Sequence, residues 1–90
     1  MSETVHAQRA LNAHTMQCVP GGEVRLIDVC GPGDGEPGFQ LGIRRLAKLV
    51  RGKDIQIEWR TEEGGNAVAD VYVGGVHVNE KMRAWGYRCK

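Results

Sequence analysis

Ninety residues with a formal net charge of +1 make one domain, near the lower end of sizes that fold without staples. A hydrophobic fraction of 41% beside 26% charged residues excludes a disordered chain, and the short apolar runs exclude a membrane-spanning helix. The near-neutral balance also lacks the basic excess typical of a nucleic-acid binder. Met1 to Leu26 has no basic start followed by an apolar stretch, so no signal peptide is expected. Cys18, Cys30 and Cys89 are odd in number and form no short-spaced pair. They read as a poor disulfide framework suited to a reducing, cytoplasmic setting.

In chain order, Ala7 to Leu11 and Thr15 to Val19 are predicted strands paired across Asn12-Ala13-His14. Pro20-Gly21-Gly22 is a turn, and Glu23 to Cys30 is a β-branched-rich strand. Its alternation puts Val24, Leu26 and Asp28 on one face, with Arg25, Ile27 and Val29 on the other. Residues 31–38 hold four glycines and two prolines and are predicted loop. From Phe39 the period becomes helical: Phe39, Ile43, Leu46 and Val50 form an apolar stripe, widened by Ala47 and Leu49. Arg44, Arg45, Lys48 and Arg51 face away, and Gly52 stops the helix.

Asp54 to Arg60 is a half-buried strand carrying Ile55, Ile57 and Trp59, and Thr61 to Asn66 is a polar turn. Ala67 to Val73 is the next strand, turned by Gly74-Gly75 into Val76-His77-Val78. Asn79 is the expected N-cap of a short helix, with Val78 packing onto Met82 or Arg83, and Gly86 ends it. The chain is therefore expected to be a mainly β (α+β) single domain over residues 1–90, and its five short strands are compatible with a small OB-type barrel. One helix follows the third strand and a short helix lies near the C-terminus.

Particular residues carry a resemblance to a known family. Val24-Arg25-Leu26-Ile27 followed by Val29-Cys30-Gly31-Pro32 is similar to its Val-Arg-Leu-Ile-Gly-Ile-Asp-Ala-Pro-Glu segment. Asn12-Ala13-His14-Thr15 sits where that family has Asp-Gly-Asp-Thr. Gly64-Gly65-Asn66, Ala69-Asp70-Val71-Tyr72, Gly74-Gly75, Val78-Asn79-Glu80 and Gly86 follow its second half. From about residue 8 to residue 90 the chain thus resembles a staphylococcal-nuclease-like (thermonuclease, SNase) domain, whose fold is the OB barrel.

The resemblance implies phosphodiester hydrolysis with a calcium ion, a carboxylate acting on water and two arginines on the phosphate. Hard oxygen ligands and guanidinium forks suit that chemistry. Position by position, Arg25 matches the first arginine and is retained. The two metal-ligand aspartates fall on His14 and Cys30, the carboxylate after the proline on Gly33, and the second arginine on Asn66. Imidazole and thiol are poor partners for calcium, so the Ca2+ site is expected to be lost. Asp34 and Glu36 are the nearby acids that would have to replace the missing carboxylate. His14 and Cys30 admit two readings: a softer site for Zn2+, or neutral residues filling a site that no longer holds metal. The second carries more weight, because structural zinc takes four ligands and Cys18, His6, His77 and Cys89 remain unplaced.

Among binding candidates, Arg25 is either a phosphate contact or a structural partner of Glu23, Glu58 or Asp70. The face of Arg44, Arg45, Lys48 and Arg51 is either an acidic-partner surface or a solvated helix side. Trp59 and Tyr72 are expected in the interior, while Trp85 and Tyr87 are expected to be exposed. There they would stack bases or anchor a protein interface. The expected function is a catalytically inactive SNase-like OB-fold domain that binds a protein partner as an adaptor, regulator or inhibitor. The alternative is a single-stranded nucleic-acid-binding OB domain that has lost cleavage; the third is a nuclease with a rebuilt metal site.

Overall fold

Alternating apolar residues drive six strands into one sheet that closes on itself. A computed structural model describes residues 2–64 and 66–89, except the side chains of Ser2, Trp59, Arg60 and Glu63. The expected core placement of Trp59 lies outside the described residues. The elements run β1 (Ser2–Asn12), β2 (Thr15–Val19), β3 (Gly22–Leu26), α1 (Phe39–Val50), β4 (Asp54–Glu63), β5 (Asn66–Val73), β6 (Val76–His77) and α2 (Val78–Ala84).

β1 is antiparallel to β2 along its second half and to β4 along its first, with Val5 opposite Ile55. β2 pairs with β3, and β4 with β5. Closure comes from β3 and β5, which run parallel with Val24, Arg25 and Leu26 opposite Ala67, Val68 and Ala69. The result is the expected mainly β, five-stranded OB-type barrel, with α1 after the third strand and α2 near the end. β6 adds a short extension to β5 across Gly74-Gly75, whose φ values of 54° and 85° suit the twist of a two-residue hairpin.

Met16, Val24, Leu26, Ile55, Ile57 and Val71 fill the interior with at most 1% exposure. α1 contributes Leu46 and Val50, and α2 contributes Val78 and Met82. Gly42, also buried in α1, lies against the β1–β2 hairpin: a Cβ added there would stand 2.8 Å from Ala13 Cβ. A glycine inside a helix costs about 1 kcal/mol, while each buried Leu or Val contributes roughly 1.5–3 kcal/mol. The close approach that burial of Leu46 and Val50 requires therefore wins.

Four local expectations change. β1 begins at Ser2 rather than Ala7, because β4 supplies partners for residues 2–6. β3 stops at Leu26 rather than Cys30: Asp28 adopts φ 57°, a left-handed conformation that ends the extended run. The polar turn shrinks, since β4 continues to Glu63 and β5 starts at Asn66. Asn79 is not the N-cap of α2. That position is His77, and Asn79 is fully buried inside the helix.

Candidate functional site

The β1–β2 hairpin is shaped by Asn12, whose Oδ1 accepts the backbone N–H of His14 at 2.9 Å, a local turn bond that Asn favours. His14 is held beside β3, where the Leu26 N–H donates to its carbonyl at 2.7 Å. The imidazole is half-buried, and its Nδ1 is buried with no hydrogen-bond partner among the described residues. Burial, and then the positive charge of Arg25, lower its pKa below 6.5. His14 and Arg25 are therefore near enough for the guanidinium to oppose protonation of the imidazole.

Arg25 is exposed between Thr15 of β2 and Val68 of β5. Among the described residues it forms no ion pair with Glu23, Glu58 or Asp70. It borders a depression of about 310 Å³, shared with Asp28, Thr61, Val68 and Cys89. Asn66 is exposed two residues before Val68, on the same strand face and roughly 7 Å along the strand.

Cys30 contradicts the sequence reading. It is joined to Cys89 by a disulfide spanning 59 residues, with the two Cα atoms 4.9 Å apart. An antiparallel bridge between Val29 and Arg88 brings the two segments together, and the Cys30 N–H donates to Tyr87 O at 3.3 Å. A disulfide sulfur is no thiolate, so His14 and Cys30 do not form a pair of soft metal ligands, the less favoured of the two readings, and Cys30 is not a free neutral thiol either. The signal was present in β2. Alternation turns Cys18 inward with Met16, leaving Cys30 and Cys89 as the two cysteines free to pair. Cys18 is the free thiol, and burial pushes it up to about 11.

The nearby acids point elsewhere. Glu36 Oε1 accepts the Gly33 N–H at 2.5 Å and is turned into its own loop. Asp34 and Glu36 line a separate depression of about 490 Å³ with Phe39, Leu41 and Arg44. No group of three or more His, Cys, Asp or Glu side chains able to hold a metal ion occurs among the described residues. The donor set at the matched positions thus does not fit calcium: a half-buried imidazole, a disulfide and a glycine.

The aromatic candidates divide. Tyr87 is buried at 8% exposure, contrary to expectation, because the glycines at 31 and 42 leave room for its ring. Trp85 is half-buried, with the Arg45 guanidinium 5.8 Å and the Lys81 ammonium 5.4 Å from its ring centroid. Arg45 also lies 5.9 Å from the Tyr87 centroid. It therefore belongs to the seam between α1 and α2 rather than to a solvated face, whereas Arg44, Lys48 and Arg51 are exposed. Tyr72 is half-buried and stacks on His77, ring centroids 4.7 Å apart.

Sequence reasoning missed the role of Asn79. Its Oδ1 accepts the Val71 N–H at 2.8 Å, while Nδ2 donates to Ile27 O and Ala69 O, each at 3.1 Å. Arg83 adds a bond to Ile27 O at 3.2 Å. α2 thereby clamps the turn after β3 that carries Asp28 and leads to Cys30. No helix among the described residues is long and apolar enough to cross a membrane. No protein-family model matches the chain, and no curated protein matches its sequence.

Proposed function

We propose that this chain is a non-catalytic OB-type barrel of SNase-like type that serves as a small protein-binding module, an adaptor, regulator or inhibitor. The observation that carries the reading is the Cys30–Cys89 disulfide, at the position where the resemblance expects a carboxylate on the metal. Covalent use of that side chain, with Gly33 in place of the hydrolytic carboxylate, supports a barrel kept for binding. Loss of the aromatic surface argues in the same direction. Tyr87 is buried and Trp85 already carries two cations, which leaves little for stacked bases.

A second reading, binding of single-stranded nucleic acid without cleavage, rests on exposed Arg25 beside a depression of mixed polar and apolar lining. A compartment is part of the proposal too. With two of the three cysteines joined, the odd count no longer argues for a reducing cytoplasm. The closed form suits oxidising surroundings. A cleavage assay on single- and double-stranded DNA and RNA in calcium tests the non-catalytic part. No product above a protein-free control is expected; cleavage abolished by Arg25→Ala would overturn it.

A further inference from the structure

Cys89 stands where two surface depressions meet. With Arg25, Thr61 and Val68 it lines the one of about 310 Å³, and with Glu80, Arg83 and Arg88 another of about 750 Å³. Asp28 borders both. Val68 is only 7% exposed, yet it lies outside the barrel core and alternates with the inward Ala67 and Ala69. Val68 and Cys89 both line the smaller depression, and Arg25 and Thr61 flank Val68 on the neighbouring strands.

Apart from the disulfide, Cys89 is held by an isolated bridge and by the bonds of its neighbour Arg88, whose N–H donates to Gly86 O at 3.0 Å. Arg88 makes one isolated bridge to Val29, and its Nε donates to Arg83 O at 3.1 Å. The Cys30 N–H reaches Tyr87 O at 3.3 Å. Upstream, Tyr87 is anchored by its buried ring, so it forms a fixed pivot for the residues after it. Cys89 is exposed and Cys30 half-buried, which presents the Cys89 sulfur to an attacking thiolate.

We infer that the Cys30–Cys89 disulfide is a redox latch. Closed, it keeps Arg88 and Cys89 as a wall between the two depressions; reduced, it lets them swing out about Tyr87 and joins the depressions along Asp28. The reductant is a dithiol. One of its thiolates attacks Cys89 Sγ, and Cys30 leaves as thiolate and takes up a proton. The second thiol of the reductant then attacks the mixed disulfide, releasing Cys89 as a thiol and the reductant as a disulfide. Two electrons and two protons pass to the protein. The latch stands independently of whether the barrel binds protein or nucleic acid.

Buried Cys18, 2% exposed in β2, is an internal gauge of barrel integrity. The test treats the full chain with a dithiol under native conditions, then follows thiol alkylation and amide exchange by mass spectrometry. The expected result is rapid alkylation of Cys30 and Cys89 with Cys18 protected. Exchange in residues 27–30 and 87–89 should rise about tenfold or more beyond the uniform change that lower global stability brings to β1, β2 and β4. Cys89→Ser without reductant should reproduce that exchange pattern. Alkylation of Cys18 at the same rate would make the bond a staple of the whole fold and overturn the latch. So would unchanged exchange in the reduced chain, or a disulfide that resists native dithiol.

Discussion

At the residue scale, three side chains set testable magnitudes. Asn79 bonds three backbone groups, and although Ile27 O also accepts from Arg83 and Ala69 O from the Ile27 N–H, it joins them to the Val71 N–H in one buried cluster. Asn79→Ala should cost about 3 kcal/mol in urea unfolding, and Asn79→Asp should also destabilise because it loses both donated bonds. Gly42→Ala should cost about 1–3 kcal/mol despite alanine's better helix propensity, since the new methyl meets Ala13 at 2.8 Å. His14 carries a pH signature. Its folded pKa lies below 6.5, through burial and then Arg25, so above pH 6.5 it is neutral in both states and contributes no slope. As pH falls below 6.5 the unfolded chain takes a proton that the folded one resists, and stability declines until the folded pKa is passed. His14→Gln should flatten that decline in urea midpoints measured across the window, while the parent chain retains it. Asn79 was visible in the sequence only as a cap, because its three acceptors and donors come from β5 and the turn after β3.

At the element scale, the period of α1 and the glycine stops of both helices were read correctly, whereas the N-cap of α2 was not. α1 follows its 3.6-residue period and ends beside Gly52, φ 73°. α2 stops at Gly86, where the Tyr87 N–H donates to Met82 O and the Gly86 N–H to Arg83 O, the bonds that close a helix on glycine. Elements whose bounds depend on distant partners were read less well. The first half of β1 exists through β4, and β3 ends because of a left-handed Asp28 that Asp tolerates but does not announce. The seam between α1 and α2 is another non-local feature. Arg45 looks like one more basic residue on a polar helix side, but it packs between two aromatic rings supplied by residues 85 and 87. Arg45→Ala should therefore cost about 1 kcal/mol in thermal or urea unfolding, while Arg44→Ala, on an exposed site, should be near neutral.

At the scale of the whole molecule, the barrel is closed by hydrogen bonds between β3 and β5, and the disulfide closes a loop of 59 residues at its edge. Removing that link should lower unfolding stability by about 2–4 kcal/mol while leaving one cooperative transition. Strand count and the position of α1 were compatible with a barrel, and only the resemblance of three ordered segments made that reading specific. The covalent state of Cys30 was legible only in part: alternation in β2 turns Cys18 inward, but parity and spacing do not reveal that Val29 and Arg88 meet. That one bond changes the candidate site from an altered metal centre into a linked edge beside Arg25. The most direct measurement is fluorescence anisotropy of labelled single-stranded DNA and RNA with the oxidised chain across a salt series. A flat signal at low salt is predicted for a barrel that has turned to protein partners. Micromolar or tighter binding that weakens steeply with salt would contradict it and place phosphate contacts at Arg25.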